Sequence, residues 1–229
     1  MRAIIFDLDE TLYNYSTPDR YSLYKVGIEC VKNHITRTPD EFISHYYNVV
    51  SELFAKTDKP YIYDRFIRMK NVLERLGHYK EKIARSLADL YWKTFYSQMR
   101  IWPDLHPVME FLKSRGLKIG ILTDGLIKWQ WKKIKILRIE NFIDAFVTAE
   151  ELGFSKPKKK AFLTVLEKLE VAPNQTIMVG DNLEKDVLGA IRVGINAIYF
   201  DRKQDMRPNT NIPRILSLCG LYTKIPTKK

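Results

Sequence analysis

Four places in the sequence put acidic, hydroxylic or cationic side chains at spacings that could do chemistry. The first is Asp7-Leu8-Asp9-Glu10-Thr11, at the end of the apolar run AIIFDL over residues 3–8. In an extended chain alternate side chains share a face, so Asp7 and Asp9 point the same way. Two carboxylates on one face repel, an arrangement tolerated when a cation sits between them or one carries a proton. The second place is Thr123-Asp124-Gly125, where Thr123 offers a hydroxyl and the helix that follows offers N–H groups to an anion. The third is Lys156-Pro157, which reads as a helix start with Pro157 at the first helical position, Lys156 at the N-cap and Lys158, Lys159 and Lys160 in the first turn. Cations there oppose the helix dipole by roughly a few tenths of a kcal/mol each, and an anion in front of that terminus would remove the conflict. The fourth is Gly180-Asp181-Asn182-Leu183-Glu184-Lys185-Asp186, with Asp181 at a strand tip and Asp186 about one helical turn later. Singly these are ordinary turn and cap sequences. Together they line up where an open parallel sheet binds ligands, at the carboxyl ends of its strands.

The elements that position these residues follow from hydrophobic patterning. Residues 3–8 form an apolar run too short for a helix, and they read as a buried strand. From Leu117 onward strands and helices alternate: strands over 117–123, 145–149, 176–180 and 196–200, helices over 125–137, 157–170 and 183–194. That alternation predicts an α/β fold, a Rossmann-like parallel sheet flanked by helices with right-handed crossovers. A helix over Leu105–Ser114 feeds the strand at Leu117 through Arg115-Gly116. Between residues 15 and 100 the period is helical instead, with helices expected over about 18–36, 39–55, 62–76 and 80–98, and 11 of the 13 tyrosines lie in this first half of the chain. Thr17-Pro18-Asp19 and Thr38-Pro39-Asp40-Glu41 read as helix starts, and Glu41 completes a capping box with Thr38. The expected organisation is a core of residues 1–14 and 101–201, an inserted four-helix domain over 15–100, with connecting strands at 12–16 and 100–104, and a tail over 202–229 whose order the sequence leaves open.

Composition excludes several classes. The 229 residues include 38 Lys and Arg against 27 Asp and Glu, a net charge of +11, and 45% are hydrophobic. That apolar share is ordinary for a globular protein. No apolar run reaches the roughly 18 residues that span a bilayer, and the N-terminus lacks the pattern of a secretory signal, so a cytoplasmic protein away from membranes is expected. Two cysteines, Cys30 and Cys219, make no disulfide framework. The four histidines, His34, His45, His78 and His106, lack metal-ligand spacing and read as structural or exposed. The basic surplus, densest at Lys158–Lys160 and at Lys132-Lys133 with Lys135, favours anionic partners or a solvated surface. No nucleic-acid-binding signature accompanies it, so no nucleic acid is expected as partner.

In these motifs the sequence resembles the haloacid dehalogenase superfamily, in its phosphatase branch. Four motifs stand in the family's order, DLDET at 7–11, Thr123, Lys156 in SKP and GDNLEKD at 180–186, and the helical insert lies where the family carries a type 1 cap. The resemblance implies that Asp7 is the nucleophile of an aspartyl-phosphate mechanism and that Asp9 protonates the leaving oxygen and later takes a proton from water. It implies a Mg²⁺ ion held by the Asp7 carboxylate, the Asp9 main-chain carbonyl and Asp181, with Glu184 as a lesser rival ligand. Thr123 and Lys156 would hold phosphoryl oxygens. Asp186 would support the site through Lys156 or a metal-bound water, with Asn182, Thr11, Asp124 and Gly125 as further supporting residues. Tyr13 and Asn14, just past the first motif, are placed to meet substrate. The substrate so implied is a small phosphorylated metabolite, such as a sugar phosphate, phosphoglycolate, glyceraldehyde 3-phosphate or a nucleotide, handled by a monomer or homodimer.

Two details bear on the branch. The dehalogenases of the family lack an acid two residues after the nucleophile, because a departing halide needs no proton, and Asp9 occupies that position here. The family's third motif commonly continues Lys-Pro-Asp-Pro, whereas this chain reads Lys156-Pro157-Lys158-Lys159, which favours a multiply anionic substrate. A phosphomutase of the same fold, a haloacid dehalogenase and a non-catalytic basic binding module are the alternatives that the sequence leaves open.

Overall fold

The computed structural model of the chain describes residues 1–202, 204 and 212–225. Six parallel strands form one sheet in the order β3-β2-β1-β4-β5-β6. They are β1 (Ala3–Phe6), β2 (Lys118–Thr123), β3 (Ala145–Thr148), β4 (Thr176–Gly180), β5 (Asn196–Phe200) and β6 (Arg214–Ile215). All four residues of β1 are buried, as a central strand covered on both faces requires. The chain leaves β1, adds β2 and β3 on one side, then returns to lay β4 on the other. Strand order thus reverses between β2 and β4, on either side of β1, and at such a reversal the loops diverge and leave a crevice beyond the strand ends. The expected Rossmann-like α/β class is the class observed.

The chain divides into two compact units, one of residues 1–14 and 101–229, the other Tyr15–Arg100. In the sheet unit, beyond α5 (Leu105–Ser114), α6 (Ile127–Leu137) and α7 (Ala149–Leu152), helix α8 (Lys159–Leu169) buries Ala161, Phe162, Val165, Leu166 and Leu169, an i, i+1, i+4, i+5, i+8 stripe laid on β2 and β3. Gly120 in β2 makes room for it, since a Cβ there would stand 2.9 Å from Leu169 Cδ1 and 3.1 Å from Val165 Cγ2. Where the chain leaves the sheet unit and returns to it, Tyr13 and Ile101 pair as an antiparallel bridge.

The helical unit holds α1 (Ser16–Lys32), α2 (Pro39–Lys56), α3 (Arg65–Arg75) and α4 (Glu81–Gln98). Thr38 caps α2 by accepting the Glu41 N–H at 3.1 Å. The Glu41 carboxylate reaches the N–H of Arg37 at 2.6 Å, one residue earlier than a capping box places it. Helix α1 begins before Thr17, at Ser16, after a Tyr15 that makes no side-chain cap, so Thr17 is not the N-cap that its sequence suggests. At the centre Arg65, 3% exposed, is held by the hydroxyls of Tyr15 and Tyr91 and by Asp19, and its guanidinium lies 4.5 Å from the Tyr91 ring. A buried guanidinium persists only with such partners.

Further boundaries differ from the sequence reading. Strand β1 ends at Phe6, so Asp7 and Leu8 already belong to the loop. Helix α8 starts at Lys159, because Lys158 is extended (φ −59°, ψ 130°) and the Lys156 N–H goes to Asp124 Oδ1 at 3.0 Å. Pro157 is therefore not a first-turn residue. Leu183–Leu188 is wound as a π-helix, with Lys185 N–H on Asn182 Oδ1 at 2.9 Å, and a short α-helical turn, Gly189–Ile191, follows. Of the tail, β6 and a short helical turn at Leu221–Lys224 lie among the described residues, while the reading of the tail also falls on 203, 205–211 and 226–229, outside them.

Candidate active site

The strand tips of the sheet unit converge. Asp7, one residue beyond β1, is anchored by its N–H on Val179 O at 2.9 Å and is 6% exposed. Lys156 Nζ lies 2.5 Å from Asp7 Oδ1, 2.7 Å from Asp186 Oδ1 and 3.1 Å from Leu122 O. One buried ammonium thus joins the motif at residue 7 to the motif at residue 186. Both Asp7 and Asp186 are needed around it, and their charge holds the Lys156 ammonium well above the ordinary lysine range although burial alone would lower it. Asp7 is pushed well above the carboxylate range by burial, which outweighs the Lys156 charge and is reinforced by Asp186, Asp181 and Asp9.

Asp181 follows β4 directly. Burial, then the charge of Asp186, pushes its carboxyl up to about 7. Thr11 Oγ1 lies 3.4 Å from both Asp7 Oδ2 and Asp181 Oδ1, bridging the two tips. Asp7, Asp181 and Asp186 bring one carboxylate oxygen each within 4.8 Å of one another. An all-oxygen donor set of this kind suits a hard divalent cation such as Mg²⁺. Asp186 is already engaged at both oxygens, Oδ1 by Lys156 and Oδ2 by the Asn182 N–H at 3.0 Å, which leaves Asp7 Oδ2 and Asp181 as the oxygens best placed for an ion. The crowded, under-compensated carboxylates fit a cation there. Gly180 lets the strand end approach this cluster, because a Cβ on it would collide with the Asp186 side chain.

Asp9 is held differently. Lys133 Nζ lies 2.8 and 2.9 Å from its two oxygens, Gln130 Nε2 lies 3.2 Å from Oδ2, and the Tyr13 hydroxyl donates to Oδ1. Burial pushes Asp9 up, but the Lys133 charge and these hydrogen bonds outweigh it and hold the carboxyl below its usual range. Both Gln130 and Lys133 come from α6 (Ile127–Leu137). Gln130 Nε2 also reaches Thr123 Oγ1 at 2.6 Å and Asp124 O at 2.7 Å. Gly125 adopts φ +112°, open to glycine alone, and a Cβ there would meet Gln130. The Asp124 carboxylate receives Lys156 N–H on one oxygen and Lys185 Nζ at 3.2 Å on the other.

Several residues lie differently from the sequence reading. The N-terminus of α6 faces the protein's own anion, Glu150, whose Oε2 takes the Ile127 N–H at 2.7 Å. Lys133, read as part of a solvated basic run, is 2% exposed and paired with Asp9. Tyr13 is fully buried with its hydroxyl on Asp9, and Asn14, next in the chain, is half-buried. Glu184 pairs with Arg192 at 2.5 Å on the surface, away from the acidic cluster.

Against known protein families, residues 1–194 match the haloacid dehalogenase-like hydrolases. The chain belongs to that family. It is 30% identical over 224 residues to a glyceraldehyde 3-phosphate phosphatase of Methanopyrus kandleri, covering 92% of this chain and 89% of that protein. It is 29% identical over 207 residues to a ribulose-1,5-bisphosphate 5-phosphatase of Halopiger xanaduensis, covering 89% and 86%. The crystal structure of a HAD phosphatase from Thermococcus onnurineus overlays it with a TM-score of 0.76 at 27% identity, over 98% of this chain and 97% of that one. Among the residues that this haloacid dehalogenase-like hydrolase gathers at its strand tips, Gln130 and Lys133 were not singled out from sequence as site residues.

Proposed function

We propose that this hydrolase is a cytoplasmic, Mg²⁺-dependent phosphatase that moves the phosphoryl group of a small phosphomonoester onto Asp7 and then to water. Its family and its phosphatase relatives make it a phosphoric monoester hydrolase. Relatives named for glyceraldehyde 3-phosphate and ribulose 1,5-bisphosphate support a phosphorylated sugar or triose as the substrate class. The observation that carries the mechanism is the placement of Asp7: a buried carboxylate at the tip of the central strand, one oxygen on Lys156 and the other beside Asp181.

In this reading the Asp7 carboxylate forms a bond to phosphorus as the ester P–O bond breaks, and the electron pair leaves on the departing oxygen. Asp9 in its carboxyl form gives that oxygen a proton, and as carboxylate it takes one from the water that attacks phosphorus and frees Asp7. The Lys133 pairing favours the carboxylate, the form required for the second half. Lys156 and the Thr123 hydroxyl stabilise charge on the phosphoryl oxygens. A Mg²⁺ ion held by the Asp7 carboxylate, the Asp9 main-chain carbonyl and Asp181 would offset repulsion between the anionic nucleophile and the anionic phosphoryl group. Residues 15–100 are proposed as the cap that selects substrate. A monomer or homodimer is proposed.

The test is phosphate release from a panel of triose, pentose and hexose phosphates, phosphoglycolate and nucleoside monophosphates, with Mg²⁺ and after EDTA. Metal-dependent release with sugar and triose phosphates ranked first supports the reading. Turnover that persists undiminished in EDTA, or release from none of the esters by folded protein, sinks it.

A further inference from the structure

Helix α6 carries an inward stripe, Gln130, Lys133, Ile134 and Leu137, that opens with two polar side chains, each 2% exposed. An ammonium at such a position is tolerated only beside a counter-charge, and the charge Lys133 meets is Asp9, gripped at both oxygens at 2.8 and 2.9 Å. One helical turn earlier, the single Gln130 amide nitrogen touches Asp9 Oδ2, Thr123 Oγ1 and Asp124 O. From the opposite direction the Tyr13 hydroxyl closes on Asp9 Oδ1. A carboxylate held at both oxygens by three side chains has no free rotation about its side-chain bonds, and the same amide ties it to the Thr123 hydroxyl.

We infer that Lys133 and Gln130 are positioning residues, a clamp on α6 that fixes the Asp9 carboxylate relative to Thr123 for its work on the leaving oxygen and on water. The inference rests on the phosphatase reading and goes beyond it. Acid–base groups act only when held within a fraction of an ångström and a few tens of degrees of productive geometry, by side chains that are themselves locked. Both members of the clamp meet that condition: they are buried, they belong to a regular helix, and Gln130 packs beside Gly125. A purely structural role makes a different forecast. Filling and charge balance would be lost together with stability, independently of whether Asp9 is present.

The experiment uses the full-length enzyme with saturating Mg²⁺ and its best phosphomonoester. For Lys133→Met the expected result is a fall in kcat of about 100-fold with KM within about threefold, because a positioning group acts on the reacting geometry more than on ground-state binding. Lys133→Arg, which keeps the charge, should recover kcat to within about tenfold of wild type. The deciding readout is the cycle with Asp9→Asn. Residues that act as a unit are not additive, so Asp9→Asn/Lys133→Met should be no slower than Asp9→Asn alone, within about threefold. Should Lys133→Met not fold by thermal melt, Gln130→Met in the same cycle gives the same forecast, a loss of about tenfold that vanishes in the Asp9→Asn background. A single-variant kcat within about threefold of wild type, or losses that multiply in the double variant, overturns the clamp. Asp7→Asn run in parallel separates the two ideas: if it keeps wild-type turnover the phosphatase reading fails and takes the clamp with it, whereas an inactive Asp7→Asn beside an unimpaired Lys133→Met removes the clamp alone.

Discussion

Lys156 is the residue on which the site's electrostatics turn. It is the ammonium shared by Asp7 and Asp186, all three buried. Lys156→Met should cost about 3–5 kcal/mol of stability, since two buried carboxylates then lose their shared counter-charge, and a denaturant titration measures it. Asp181 gives a pH prediction. Its carboxyl is pushed up to about 7 by burial and the neighbouring Asp186, and a cation binds only the ionised form. Apparent Mg²⁺ affinity should therefore weaken by about tenfold per pH unit as pH falls below about 7 and level off above it, with a proton released on binding. In the metal-free protein the sign is opposite: a raised carboxyl favours the fold while protonated, so this contribution is greatest below the ordinary carboxylate value and is lost as pH rises toward 7. Calorimetric titration with Mg²⁺ between pH 5 and pH 8 reads the first effect. Asp7, Asp9, Asp181 and Asp186 were all legible in sequence because each follows a strand signal by one to six residues. Lys133 was not. Ile127, Trp131 and Ile134 suggest an apolar stripe on α6, yet Ile127 and Trp131 are 43% and 37% exposed and the buried stripe runs through Gln130 and Lys133 instead.

At the scale of elements, the sheet and its helices were legible because period and punctuation agree: short apolar runs for strands, amphipathic stripes for helices, glycines and prolines between. The errors fall at ends, where side-chain hydrogen bonds outvote the sequence signal. Lys156-Pro157 resembles a helix start, but the Asp124 carboxylate draws the Lys156 N–H and the helix waits until Lys159. Thr17 resembles a cap, but α1 has already begun at Ser16. Two substitutions test the packing. Gly120→Ala should lose about 1–3 kcal/mol in thermal or denaturant unfolding, because its methyl meets Leu169 and Val165 at 2.9 and 3.1 Å where α8 lies on β2. Thr38→Ala should lose about 1 kcal/mol through the missing cap on Glu41 N–H.

For the molecule as a whole, periodicity suggests a helical segment interrupting an α/β segment after its first strand, and the chain divides into two compact units with the changes at 14–15 and 100–101. What sequence could not give is which helical residues turn inward: the buried Arg65, Tyr91 and Asp19 network assembles from three helices and has no local spacing to betray it. Among the described residues no helix is long and apolar enough to cross a membrane. The net charge of +11 should speed capture of anionic esters, so kcat/KM for a bisphosphate should fall roughly severalfold between low and physiological salt, more than for a neutral aryl ester control. The central claim is narrower: phosphate leaves the substrate through Asp7. Phosphate release by Asp7→Asn and wild type, side by side with Mg²⁺ on the best ester and with folding checked by thermal melt, tests it most directly. A folded Asp7→Asn with turnover reduced by roughly a thousandfold or more is the predicted result, and one within tenfold of wild type would contradict the account.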